Sequence, residues 1–240
     1  MSIHDQSYKT DDHAQRGNDL YAWSKYDLTT EWLRPFARPG QRLLNIGCGS
    51  GEYNVVAAGL GLRVLACEPE RAAFEIAERT RPAECEVRHC GVLDLDAERD
   101  AADFIVMHDV LEHIEDHEHA AAQLARLLRP GGRLILSVPA LGWLFGRHDE
   151  LLGHYRRYNR QSLSRVLEPH FALQTLRYFG VSFIPACLYY SVLARKPYPV
   201  QQAGQGRAGK LLRAVCELEK RLTPPLGTSL LVVAQPKPVN

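Results

Sequence analysis

An α/β fold built on a mostly parallel sheet follows from three features of the 240-residue chain. Short runs of branched apolar residues alternate with stretches of helical period, the order that lays strands side by side and drapes helices over them. The first such run, Leu43-Leu44-Asn45-Ile46, passes without a spacer into Gly47-Cys48-Gly49-Ser50-Gly51. Missing Cβ atoms there let backbone N–H groups approach a ligand closely. A second run, Arg63-Val64-Leu65-Ala66-Cys67, ends in Glu68-Pro69, and a carboxylate at a strand end can accept both hydroxyls of a ribose.

Two better-known glycine turns are disfavoured. No Gly-Lys-Ser/Thr follows, so the ammonium and hydroxyl that hold a nucleoside triphosphate and magnesium in a P-loop are missing. The spacing is G-x-G-x-G, and Glu52 stands where a dinucleotide fingerprint carries its third glycine. That counts against a nicotinamide-dependent dehydrogenase. A nucleoside ligand remains.

The other elements follow in order. Residues 1–18 are polar and aperiodic, as expected of a mobile leading segment or lid. Asp19 to Ala37 places Leu20, Trp23, Tyr26, Leu28, Trp32, Leu33 and Phe36 at helical intervals and predicts one or two helices over the sheet. Helices are expected over Tyr53–Leu60 and Arg71–Thr80, with strands at Glu86–Cys90 and Asp103–Met107. His108 and Asp109 stand at the carboxyl end of the last of these, where open α/β sheets bind ligands. A helix from Val110 is expected to carry Asp109, Glu112 and His113 on one face at i, i+3 and i+4. Leu127 to Gly132 closes the next helix, and Arg133–Val138 is the fifth strand. Beyond lie an irregular stretch from Gly146 to Tyr158, a helix at Gln161–Glu168, a strand at Leu173–Tyr178 and a closing strand at Thr228–Ala234. Between the last two strands are an apolar segment, Phe179–Ala194, a Pro/Gly/Gln-rich loop at Tyr198–Gly209, and an amphipathic helix at Leu211–Leu222 that places Leu212, Val215, Leu218 and Leu222 on one face.

Bulk composition narrows the partners. Hydrophobic residues make up 45% and charged ones 24%, with 29 Lys plus Arg against 28 acids and a formal net charge of +1. No basic excess favours nucleic acid. The six cysteines form no C-x-x-C pair, and the N-terminus has neither a basic nor an apolar leader region, so a cytoplasmic protein with reduced thiols is expected. Phe179–Ala194 is too short for a transmembrane span, which takes roughly 20 apolar residues. It reads as a cavity wall or homodimer face, with membrane-surface contact as the alternative.

Four pieces arrive in one order: LNIGCGSG at Leu44–Gly51, the strand-end acid Glu68, DFIVMHDVLEHI at Asp103–Ile114, and LRPGGRLILSVPA at Leu128–Ala140. Over about residues 43–140 the chain thus resembles the class I S-adenosylmethionine-dependent methyltransferases. The resemblance implies a Rossmann-like, seven-stranded, mostly parallel sheet with helices on both faces and an antiparallel last hairpin. It also implies N-terminal cap helices and a substrate-recognition insertion. All of this forms a single domain over 1–240, divided into a cap or lid (1–40), a cofactor core (41–140), substrate-recognition elements (141–227) and a closing strand (228–235).

The implied cofactor is S-adenosyl-L-methionine, held by Asn45, Gly47, Cys48, Gly49, Gly51, Glu68, Pro69, Met107 and His108, with Val92 and Leu93 against adenine. Asn45 departs from the acid usual there and brings no negative charge. Asp94 reads equally as a loop cap or a ligand contact, and Trp23 and Tyr26 as core or as cofactor cover. The segment HDE…GHYRRY resembles a bacterial subfamily assigned to small-molecule, sugar or lipid-linked acceptors, which nominates His148, Tyr155, Arg156, Arg157 and Tyr158 as acceptor-binding, the arginines toward an anionic group. A hydroxyl acceptor needs a base that works near neutrality, so His113 and His154, with Asp109, are the catalytic candidates for O-methylation. N-methylation and metal-assisted O-methylation stay as alternatives, because Asp109, Glu112, His113 and His154 offer mixed O/N ligands resembling those of small-RNA 2′-O-methyltransferases; no metal is assigned. A non-catalytic S-adenosylmethionine-binding subunit is the remaining rival, opposed by the intact glycines and Glu68.

Overall fold

The computed structural model describes residues 19–196 and 206–238; the leading segment 1–18 and most of the loop expected at 198–209 lie outside them. The described chain folds as α1 (Leu20–Leu33), β1 (Arg42–Ile46), α2 (Glu52–Gly59), β2 (Arg63–Cys67), α3 (Arg71–Thr80), β3 (Cys85–Arg88), α4 (Ala97–Asp100), β4 (Ala102–His108), α5 (His117–Leu127), β5 (Leu128–Pro139), α6 (Arg147–Leu152), α7 (Arg160–Leu167), β6 (Phe171–Phe179), α8 (Ile184–Cys187), α9 (Gly206–Arg221) and β7 (Ser229–Pro236). The strands form one seven-stranded sheet in the order β3-β2-β1-β4-β5-β7-β6. Strands β1 to β5 run parallel, and β7 lies antiparallel between β5 and β6.

Strand alternation sorts the core into two layers. Leu44, Ile46, Ile105, Met107, Leu134 and Leu136 join the larger apolar cluster, while Leu43, Val64, Val106 and Ile135, at alternate positions, join a second one. Apolar runs covered on both faces are what a parallel sheet requires. The crossovers from β1 and β4 depart in opposite directions, so the carboxyl ends of these neighbours flank the crevice where such sheets bind ligands.

Several elements differ from expectation. The helix predicted from Val110 is a single 3-10 turn, Leu111–His113; α5 begins only at His117, where the Asp116 carboxylate accepts the His119 N–H at 3.0 Å and caps it. Asp109 cannot start a helix because its φ is +52°, a left-handed conformation that Asp tolerates better than most residues. Strand β5 begins at Leu128, five residues early, pairing with Ala102 before the register shifts around Pro130-Gly131-Gly132. The stretch from Gly146 to Tyr158 contains the short helix α6. The expected apolar face of α9 is only partly covered: Leu218 is 59% exposed and Leu222 is exposed, Leu212 and Val215 are half-buried, and Cys216 and Glu219 are buried in their place. Glu219 has a reason to be inside, since it accepts the N–H groups of Gly180 and Ser182 at 2.8 Å each.

Candidate active site

The glycine turn after β1 is stitched to β2, because Gly47 and Cys48 donate their N–H groups to the Cys67 carbonyl at 2.8 and 3.0 Å. Gly47 has φ +65°, and a Cβ there would sit 2.3 Å from the side chain of Val110. Gly47→Ala is therefore expected to cost at least about 1–2 kcal/mol from backbone conformation alone. A thermal melt should show a drop of several degrees, together with loss of cofactor binding.

Glu68, only 5% exposed, accepts the Gly49 N–H at 2.8 Å through one oxygen and the Glu70 N–H at 2.9 Å through the other. Each carboxylate oxygen can accept more than one hydrogen bond, so the same group is able to accept ribose hydroxyls. The fixed carboxylate and the close-approach turn beside it fit a nucleoside-bearing cofactor. Asn45 is buried and donates to Asn54 Oδ1 on α2 at 2.8 Å. Val92 is buried and Leu93 exposed on the 3-10 turn after β3, and Pro69 is exposed. Asp94 accepts the Gly91 N–H at 2.8 Å and so acts as the loop's cap.

At the end of β4, Met107 is fully buried in the larger apolar cluster. His108 is buried too: its Nε2 shares a 2.8 Å hydrogen bond with Thr29 Oγ1, and its ring lies edge-on to Tyr26 and Tyr53 at 4.8 and 5.1 Å. Tyr26 is thus core, and α1 covers this strand end directly. Asp109 turns away from Glu112 and His113. It pairs with the ammonium of Lys25 on α1 and accepts the Ser137 hydroxyl at 3.0 Å, so the expected shared face of Asp109, Glu112 and His113 does not form.

A different set converges instead. Glu112 is fully buried, the rings of His113 and His154 meet edge-on with centroids 4.6 Å apart, and His154 Nε2 lies 4.0 Å from Glu112 Oε1. One potential ligand atom from each of these three residues lies within 4.8 Å of the others. The two segments are tied by the Tyr155 N–H, which donates to the Glu112 carbonyl at 2.9 Å. His154 Nδ1 bonds to Asp149 Oδ1 at 2.8 Å, and the His148 ring stands 6.3 Å from that of His154.

Three of the expected acceptor-binding residues have structural partners. Tyr158 is buried, sharing a 2.8 Å hydrogen bond with His117 Nδ1 and donating to the Leu111 carbonyl at 3.3 Å. Burial pushes its phenol pKa far up. Arg157 is buried against Asp149, with Nε 2.8 Å from Oδ1. Arg156 donates to the carbonyls of Ile114 and Glu115 at 2.7 and 2.9 Å. Tyr155 is exposed, with the Arg156 guanidinium over its ring.

Sequence reasoning did not single out Lys25 or Asp149. A lysine between Tyr21 and Tyr26 on the apolar face of α1 was the signal for the first. An acid three residues after Gly146 was the signal for the second.

The family described as "Methyltransferase domain" matches residues 19–180. A probable S-adenosylmethionine-dependent methyltransferase of Mycolicibacterium smegmatis is 29% identical over 131 residues, covering 54% of this chain and 51% of that one. A ubiquinone biosynthesis O-methyltransferase of Alkalilimnicola ehrlichii is 34% identical over 104 residues, covering 41% and 42%. The chain spans about half the length of the curated relatives it matches. Among solved structures, an S-adenosylmethionine-dependent methyltransferase of Mesorhizobium loti superposes with a TM-score of 0.60 at 18% identity, covering 88% of this chain and 98% of that one. The N-methyltransferase NodS of Bradyrhizobium japonicum, solved with S-adenosyl-L-homocysteine, gives 0.61 at 14%, covering 98% and 100%. Two independent lines, the family match across most of the chain and the seven-stranded sheet with its antiparallel last hairpin, lead to one statement: the chain belongs to the class I S-adenosylmethionine-dependent methyltransferases.

Proposed function

We propose that this protein transfers a methyl group to a hydroxyl of a small acceptor, with His113 and His154 taking up the proton. The observation that carries the reading is the convergence of those two imidazoles beside the buried Glu112, in the loops that follow β4 and β5. In the cofactor crevice, the Gly47–Gly51 turn and Glu68 would hold S-adenosylmethionine, with Val92 and Leu93 beside the base. When bound, the cofactor supplies an electrophilic methyl group on a sulfonium. The protein's part is to align the acceptor and accept its proton. Glu112, 4.0 Å from His154 Nε2, is placed to stabilise the imidazolium that proton uptake creates. Support for oxygen as acceptor comes from the O-methyltransferase among the relatives; NodS keeps an amine as the alternative.

The acceptor's apolar part would meet the Phe179–Ala194 segment, where Tyr189 and Leu193 stay exposed next to the turn that carries exposed Trp143. Among the described residues no helix is long and apolar enough to cross a membrane. All six cysteines are free thiols, which supports a reducing compartment.

A second reading has its own observation. Ligand atoms of Glu112, His113 and His154 lie within 4.8 Å of one another, a mixed O/N set that suits a divalent transition metal. One experiment addresses both readings: screening candidate acceptors with isotopically labelled methyl donor, with and without chelator. Labelling of a hydroxyl that persists in chelator supports the base reading. Activity lost to chelator and restored by a divalent ion replaces it with the metal one. Saturable NADH binding with no response to S-adenosylhomocysteine would sink both.

A further inference from the structure

We infer that Asp149 is the positioning residue that selects which nitrogen of His154 faces the site, an assignment that rests on the role proposed above for the His113–His154 pair. Asp149 is fully buried on the first turn of α6. Its Oδ2 accepts the Gly146 N–H at 3.0 Å, and its Oδ1 accepts from both His154 Nδ1 and Arg157 Nε at 2.8 Å. An ionised carboxylate can only accept hydrogen bonds, so the proton of a neutral His154 must sit on Nδ1. That leaves the Nε2 lone pair as the reactive one, on the side where Glu112 and His113 lie.

Two features keep the carboxylate ionised and still. The Gly146 N–H donates to one carboxylate oxygen and the Arg157 guanidinium to the other, and donors at both oxygens favour the ionised form. Arg157 also balances the carboxylate's charge. The helix itself is pinned from outside: a Cβ on Gly146 would lie 2.5 Å from the Ser191 carbonyl oxygen, and His148 donates its N–H to Ser191 Oγ at 3.1 Å. Arg157 extends the support to the end of β5 through the Ala140 carbonyl at 3.3 Å. Asp149 thus presents Oδ1 to the imidazole from a position held by Gly146 and Arg157.

The decisive variant is Asp149→Asn, which keeps the size and, with its oxygen on the Gly146 N–H, puts its NH2 group in the place of Oδ1, turning an N–H toward His154 Nδ1 at the cost of the Arg157 bond. Side-chain 15N NMR of the whole protein reads the tautomer without any acceptor. The parental protein should show Nδ1–H at His154, and Asp149→Asn should move it toward Nε2–H. With an acceptor in hand, kcat should fall about 100-fold or more through the wrong tautomer, while KM and S-adenosylhomocysteine binding stay within about twofold of parental. Asp149→Glu should recover part of the loss, which a purely structural acid would not predict. An Nε2–H tautomer in the parental protein overturns the assignment, even if Asp149→Asn fails to fold. So does an unchanged kcat in Asp149→Asn when His154→Ala is inactive. Full activity in His154→Ala would instead remove the catalytic reading and leave the tautomer result standing.

Discussion

His154→Ala is expected to lower the turnover of methyl transfer about 100- to 10,000-fold, the range that a positioned general base contributes. S-adenosylhomocysteine should bind it as tightly as it binds the parental protein. The asymmetry follows from where the imidazole stands. Its partners are Asp149, Glu112 and His113, and none of them belongs to the Gly47–Gly51 turn or to Glu68. The fold should survive, because the imidazole's departure leaves Asp149 bonded to Arg157 and to the Gly146 N–H. Calorimetry with the product cofactor and single-turnover assays with labelled donor separate the two quantities. Parental turnover in the alanine variant would show that the proton goes elsewhere.

Glu68→Ala should do the opposite, weakening cofactor binding about 10- to 100-fold or more. Hydrogen bonds to a charged group contribute about 1.5–3 kcal/mol each, and about 1.4 kcal/mol is tenfold in affinity. The same change removes the acceptor for the Gly49 and Glu70 N–H groups, so the turn after β1 loses one of its ties to the end of β2 and keeps those of Gly47 and Cys48 to the Cys67 carbonyl. Glu68→Gln, which keeps one oxygen, should fall between the two. At saturating cofactor kcat should recover in Glu68→Gln, and a kcat that stays low there would mean Glu68 touches the chemistry rather than the cofactor alone.

The sheet was legible because two strong local signals agree with the tertiary structure. Leu43 to Ile46 and Phe104 to Met107 are apolar at every position but Asn45, as a strand covered on both sides must be, and the glycines of 47–51 announce a turn that side chains would block. Glu68 could be found because a strand end fixes where a carboxylate projects. The second half was less readable. A helical period fitted Asp109, Glu112 and His113, but the left-handed Asp109 breaks that period at its first residue, so the carboxylate meets Lys25 from a helix some eighty residues upstream. Arg156, Arg157 and Tyr158 carry groups that bind ligands in many proteins, and their spacing cannot tell a ligand from a neighbouring loop's carbonyl or carboxylate. His113 and His154 lie 41 positions apart, and only the three-dimensional return of the chain past β5 brings their rings together.

The Lys25–Asp109 contact has a consequence for the chain's freedom to change over generations. Lys25 is nearly dry and stacks near the Tyr21 ring, while Asp109 holds both Lys25 and the Ser137 hydroxyl. Removing one member of a buried pair strands the other's charge, whereas replacing both by apolar groups of matching volume is often neutral. Either position changed alone is therefore expected to cost more than a matched apolar replacement of both, which couples mutations at two residues 84 places apart in the sequence.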